Sequence, residues 1–83
     1  MSAAVQEILA QDRAGDRHLR DLITRRGGCY IAQDHNQQPL GSMQISSLHF
    51  GGIVGIGPGL FGAAKDWRRQ ARAQIEAQIE AHP

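Results

Sequence analysis

The sequence has 83 residues, 41% of them hydrophobic and 20% charged, and its formal net charge is +1. These values predict one small globular domain over residues 1–83, whose short chain buries only a modest fraction of its surface. The single cysteine, Cys29, excludes an internal disulfide framework, and no Cys/His spacing resembles a zinc site, so we expect no bound metal.

The sequence also indicates a cellular compartment and a tendency to self-associate. The first 17 residues lack a basic start followed by an apolar run, so they do not predict a secretory signal. Together with the single cysteine this favours a reducing compartment, and we expect the cytoplasm. Ten glycines and few aromatic residues leave little material for a dense core, and self-association would therefore stabilise the fold.

Residues 3–26 are predicted to form one helix or two, because apolar residues repeat there with helical spacing. The pattern is interrupted around residues 12–16, and Gly27 with Gly28 predicts its end, since glycine adopts the left-handed conformation that closes many helices. A second candidate surface for an anion, or simply a solvated face, is formed on the helical projection by Arg13, Arg17 and Arg20.

Two or three antiparallel strands are predicted in the middle of the chain. Cys29–Ala32 is a short apolar run, and the polar cluster 34–38 predicts a turn that leads to a second strand over residues 40–45. A third extended run, residues 48–56, would complete the sheet, although its glycines weaken any strand.

The last segment, residues 60–82, is predicted to be a long amphipathic helix. Its apolar stripe consists of Leu60, Ala64, Trp67, Ala71, Ile75 and Ile79. Its other side groups the charged residues Lys65, Arg69, Arg72, Glu76 and Glu80. The predicted fold class is therefore α+β, with an N-terminal helix or two, a two- to three-stranded antiparallel sheet, and this C-terminal helix packed with the first on one face.

A glycine-rich stretch, residues 51–62, runs directly into the last helix and reads GGIVGIGPGLFG. Its second half resembles the dinucleotide-binding fingerprint G-x-G-x-x-G, in which a pyrophosphate lies on N–H groups at a helix start. That fold also needs a returning parallel strand and an acidic residue about twenty positions later. Glu80 lies near that distance but inside the predicted helix, so we expect no nucleotide cofactor.

Residues 45–64 also admit a membrane interpretation, because they contain no Asp, Glu, Lys or Arg. Gly51, Gly55 and Gly59 have the four-residue spacing that lets membrane helices approach closely. The string 59–64 resembles the start of glycine-rich viral fusion peptides. A proline and several glycines oppose a helix here, so a membrane-active or oligomeric structural role ranks below partner binding.

The strongest functional signal is the charge at the start of the last helix. Four basic residues occupy its first turns, where the helix dipole favours anions over cations. A helix start that keeps such charges beside a glycine-rich turn is suited to receive an anion from a partner. The predicted anion-binding or partner-binding site consists of Gly57, Gly59, Lys65, Arg68, Arg69 and Arg72.

Two other interpretations stay open at this point. In the first, the glycines make tight turns and a close contact of helix on strand, while Arg72 pairs with Glu76 on a solvated face. In the second, Cys29 acts as a nucleophile beside a histidine brought close by folding. The candidate histidines are His18, His35 and His49. No combination of nucleophile and base stands out in the sequence, so we expect no catalysis.

The sequence therefore predicts a small non-enzymatic binding or regulatory module. A protein surface is the first expected partner and nucleic acid the second, since arginine-rich faces serve both. Nucleic acid ranks second because we expect bases to have only Trp67 or Tyr30 to stack on. A homo-oligomer is compatible with the composition, and the size fits a regulator carried by a phage or another mobile element.

Overall fold

The computed structural model describes residues 3–32 and 45–81 of the chain. The three strands of these residues form one antiparallel sheet, in which strands that follow each other along the chain are neighbours. The predicted α+β class, with one or two N-terminal helices, two or three strands and a long C-terminal helix, is thereby confirmed, and the described residues form two N-terminal helices and three strands. The elements are α1 (Ala3–Gln11), α2 (Asp16–Arg25), β1 (Cys29–Ala32), β2 (Ile45–Phe50), β3 (Ile53–Pro58) and α3 (Gly59–Ala81).

The first strand lies at its predicted position, whereas the third predicted strand does not. Residues 48–56 are not one strand, because Gly51 and Gly52 reverse the chain between β2 and β3 with φ angles of 64° and 78°. Positive φ at both residues is the geometry that two-residue hairpin loops favour, and glycine adopts it without strain. Of the predicted strand 40–45 only Ile45 is described, and the predicted turn 34–38 lies outside the described residues.

Two helices form at the N-terminus because the connection between Gln11 and Asp16 is not helical. Gly15 precedes α2 with a φ of 97°. Arg13 lies in this connection, so its predicted place on one helical face with Arg17 and Arg20 is wrong. The predicted end of α2 is confirmed: Gly27 has a φ of 96°, and the N–H of Gly28 donates to the Ile23 carbonyl at 2.9 Å.

All three helices contribute to a core on one side of the sheet. The strands alternate, so that Leu48 and Ile53 point toward the helices while their neighbours along each strand are more exposed. Trp67 of α3 is fully buried there, and its indole Nε1 donates to the carbonyl of Phe50 at 3.3 Å. The remaining fully buried large side chains are Val5, Ile8, Leu19 and Ile23.

Only part of the predicted apolar stripe of α3 is buried. Ala64, Trp67 and Ala71 are fully buried, whereas Ile79 is exposed. The first half of this 23-residue helix therefore packs on the domain, and its last turns extend past the core.

The backbones of α3 and β3 lie in direct contact at glycine. A Cβ atom on Gly55 would lie 2.4 Å from the Ala63 carbonyl oxygen and 2.5 Å from the Trp67 nitrogen. A Cβ on Gly57 would lie 2.5 Å from the carbonyl carbon of Gly62. Since no side chain fits at these distances, the interpretation of the glycines as close helix-on-strand contacts is confirmed at both positions.

Side chains of α3 occupy the outer edge of β3. The N–H of Ile56 donates to Asp66 Oδ2 at 2.9 Å, and Gln70 Nε2 donates to the Val54 carbonyl at 2.7 Å. Unpaired backbone groups on an edge strand invite another strand to pair with them. Asp66 and Gln70 satisfy two of these groups and so block strand addition along this edge.

We expect Gly55→Ala to lower the free energy of unfolding by about 3 kcal/mol, because the added methyl meets backbone atoms that cannot move away. Gly59→Ala is the matched control, since Gly59 has a φ of 64° but open space around its Cβ position. It should cost only about 1 kcal/mol, from backbone strain alone. Urea denaturation followed by circular dichroism measures both values, and equal losses would contradict the contact.

Candidate functional site: the cationic surface of the C-terminal helix

The predicted site residues do not share one role. Gly57 closes the contact between β3 and α3, and Gly59 turns the chain from strand to helix with a positive φ. Lys65, Arg69 and Arg72 are exposed on α3, whereas Arg68 is half-buried. The pattern G-x-G-x-x-G is thus explained by packing, because its first and last glycines, Gly57 and Gly62, touch each other.

Arg68 already has two carboxylate partners within the chain. Its Nε and Nη2 donate to the two oxygens of Asp12, the latter at 2.9 Å, and its Nη1 donates to Asp16 Oδ1 at 2.6 Å. The Asp12 side chain is only 4% exposed. The pKa of the Arg68 guanidinium is raised, first by the hydrogen bonds to Asp12 and then by those to Asp16. Arg68 therefore binds the α1–α2 connection and the start of α2 to α3.

Within the described residues Arg69 pairs with Asp66 alone, and it stays accessible. Its Nη2 lies 2.6 Å from Asp66 Oδ1, yet 70% of its side chain is exposed. The same carboxylate accepts the Ile56 N–H and a bond from Gln70, and it is thereby held in place. The pKa of Asp66 is lowered, first by the backbone hydrogen bond from Ile56 and then by the bond from Arg69.

Lys65 and Arg72 are exposed and form no ion pair within the described residues. The predicted pair of Arg72 with Glu76 is among those not formed. Both cations flank the helix face that also presents Arg69. Three accessible cations therefore lie along about two turns of one helix.

Phe61 is the residue that the sequence prediction missed. Its side chain is 68% exposed, and it lies four residues before Lys65 on the same face of α3. On a helical projection Phe61 lies apart from the apolar stripe through Ala64 and Trp67. The sequence could therefore have predicted that Phe61 is exposed. We call the set Phe61, Lys65, Arg69 and Arg72 the cationic surface.

Two open depressions meet at the cationic surface. One, of about 680 Å³, runs along α3 and is lined by Phe61, Lys65, Arg69 and Arg72 together with Arg68, Ala73 and Glu76. The other, of about 340 Å³, lies beside the end of β3, where Phe61, Lys65 and Arg69 meet Ile56 and Pro58. Apolar and cationic side chains thus border the same space.

The second candidate surface for an anion was predicted from Arg13, Arg17 and Arg20. The guanidinium of Arg20 lies over the ring of Tyr30, 6.0 Å from its centroid, and within 3.6 Å of Asp21. Arg17 is exposed on α2, and Arg13 is exposed in the connection before it. Arg13 and Arg17 have no ion pair within the described residues, but Arg13 lies outside the helices, so the three arginines do not form the predicted face.

Folding places His49 opposite Cys29 in the sheet register. His49 Nε2 shares a hydrogen bond of 2.8 Å with Ser47 Oγ. His35 lies outside the described residues. Within residues 3–32 and 45–81, no three His, Cys, Asp or Glu side chains group so as to hold a metal ion.

One form of the membrane interpretation of residues 45–64 is a helix that crosses the bilayer. No helix in the described part of the chain is both long and apolar enough to cross a bilayer. Residues 45–58 form the β2–β3 hairpin instead, so their interpretation as a membrane-spanning helix is wrong.

Comparison of the chain with models of known protein families, with curated proteins and with solved structures finds no match. Function is therefore inferred from the side chains of the cationic surface and from their surroundings.

We expect Arg68→Met to lower the free energy of unfolding by about 3 kcal/mol, because it leaves the buried Asp12 carboxylate without a partner. Arg69→Met, one residue along the helix, should cost less than about 1 kcal/mol because that pair is exposed. Chemical denaturation measures both. The double variant Arg68→Met with Asp12→Asn should recover part of the loss, and an Arg68→Met variant as stable as Arg69→Met would contradict this role.

Asp66 predicts a pH dependence with a defined sign. Since its pKa is lower in the folded state, the carboxylate stabilises the fold above its ordinary pKa of 3.8, and this contribution is lost as the pH falls through the lowered value. We expect Asp66→Asn to be less stable than the wild type at neutral pH, with a difference that shrinks in acid. Denaturation at a series of pH values checks this, and a constant difference would contradict it.

Proposed function

We propose that the chain is a non-enzymatic binding module whose cationic surface binds an acidic surface of a protein partner. The observation that supports this most is the contrast between Arg68 and its neighbours on α3. Arg68 takes two carboxylates of its own chain, while Lys65 and Arg72 have none within the described residues. The charges of Lys65 and Arg72, the seventh and fourteenth residues of α3, are left for an external anion.

Phe61 strengthens the proposal because it adds an exposed aromatic side chain beside these cations. Large aromatic and arginine side chains supply most of the binding energy at protein interfaces. Here Phe61 borders both depressions, with Lys65 and Arg69 beside it. This arrangement suits a partner that offers an apolar side chain flanked by carboxylates.

The charges around the cationic surface favour a protein over a nucleic acid. Asp66 is fixed beside Arg69, and Glu76 lines the same depression as Arg72. Carboxylates at these points repel a continuous phosphate backbone, whereas a protein surface can place its own charges between them. The formal net charge of only +1 supports the same choice.

Single-stranded nucleic acid is the second candidate, and Phe61 is the observation that favours it. Proteins that bind single strands combine cations with aromatic side chains on which bases stack. The sequence suggested Trp67 and Tyr30 for stacking on bases, but both side chains make other contacts. Trp67 is buried, and the Tyr30 hydroxyl donates to Ser46 Oγ at 3.1 Å. Phe61 is accessible instead. Cytoplasmic location and an origin in a mobile element stay predictions.

A selection from a random dodecapeptide display library tests the first candidate. We expect the immobilised protein to enrich peptides that combine Asp or Glu with a large apolar residue. Lys65→Glu with Arg72→Glu should weaken the best peptide at least about tenfold in fluorescence anisotropy, since two attractive charges become repulsive. The matched control is Arg17→Glu with Arg25→Glu, which changes net charge equally on the exposed side of α2 and should leave binding intact.

Two outcomes would contradict the protein proposal. In the first, both double variants lose binding equally, which would indicate non-specific attraction to net charge. In the second, labelled (dT)20 binds more tightly than any selected peptide, with steep salt dependence and a loss on Phe61→Leu. That substitution keeps the apolar contact and removes the stacking ring, so it separates the two candidates.

A further inference from the structure

The face of the sheet turned away from the helices is largely apolar and exposed. Its large hydrophobic side chains are Ile31, Ile45, Val54 and Ile56, the last of them 55% exposed. They are four of the six exposed large hydrophobic residues in the described part of the chain, so the exposure is concentrated on one surface. We call this surface the outer sheet face.

Two polar side chains of the outer sheet face pair with each other. Ser47 and His49 lie on the central strand and hydrogen-bond to each other at 2.8 Å. No Asp, Glu, Lys or Arg stands on β1, β2 or β3. Burying this face therefore desolvates no charged side chain, and the bond between Ser47 and His49 lowers the cost of burying these two polar groups.

The absence of charged side chains on β1, β2 and β3 indicates what kind of partner fits the outer sheet face. An acidic partner is matched by the cationic surface and finds no cation on these strands. We propose that the outer sheet face binds the same face of a second copy of this chain. A second copy offers an uncharged surface of the same size and shape, and face-to-face packing is a common arrangement of two sheets.

The edges of the sheet agree with a face-to-face arrangement. Asp66 and Gln70 block strand addition at the β3 edge, so two copies cannot join there. A two-fold axis parallel to the strands sets β1 of one copy over β3 of the other. Lys65 and Arg69, which border the end of β3, then lie at opposite edges of the dimer and do not repel each other.

The size of the face predicts how tight the dimer is. Three strands of up to six residues cover roughly 14 by 20 Å, or about 300 Å² in projection. A stable interface takes about 800 Å² from each partner. The dimer is therefore weak and depends on concentration.

Sedimentation equilibrium between about 10 µM and about 1 mM tests the dimer. The mean mass should rise from the 9.1 kDa of one chain toward twice that value. Ile56→Lys should raise the dissociation constant at least about tenfold. The matched control is Ile79→Lys, the same change at an exposed isoleucine on α3, which should leave the constant unchanged. Should Ile56→Lys fail to fold by circular dichroism, Ile45→Lys replaces it.

The concentration dependence of amide chemical shifts locates the interface independently. We expect the shifts to move on β1, β2 and β3 and to stay constant along α3. A wild-type mass that stays at one chain throughout would overturn the proposal. So would association that Ile79→Lys abolishes and Ile56→Lys does not, because the end of α3 would then be the interface.

Discussion

The backbone contact of α3 with β3 at Gly55 and Gly57 is the constraint on which the rest of the structure depends. Because neither position tolerates a Cβ atom, the helix lies directly on the strand and follows it back along its length. That orientation turns Trp67 into the core and turns Phe61 and Lys65 outward. The same closeness lets Asp66 and its neighbour one turn later reach the β3 edge, so the contact also determines which surfaces remain available.

Neighbouring arginines on α3 then serve different purposes because the two sides of the helix differ. Arg68 faces the α1–α2 connection, where Asp12 is buried and needs a counter-charge. Arg69 and Arg72 face solvent beside Phe61. A cation that is held by buried carboxylates stabilises the fold, whereas an exposed cation contributes little to stability and is available for recognition. The outer sheet face is a separate apolar surface, which we propose binds a second copy.

Much of the fold follows from local sequence signals, and the exceptions have physical reasons. Helical spacing and the glycines after α2 predicted the helices, because both act over a few residues. The hairpin at Gly51 and Gly52 was missed because the apolar run continues through it without a polar residue. The partner of Arg68 could not be predicted, since Asp12 lies 56 positions away. Phe61 was predictable from its place off the apolar stripe.

The central claim is that exposed cations of α3 bind an acidic partner while Arg68 holds the fold. A titration of the ¹⁵N-labelled protein with a display-selected acidic peptide, followed through the arginine Nε–H resonances, tests it most directly. We expect the signals of Arg69 and Arg72 to shift progressively while that of Arg68, hydrogen-bonded to Asp12, stays in place. A shift of Arg68 equal to theirs, or no shift in any of the three, would contradict the account.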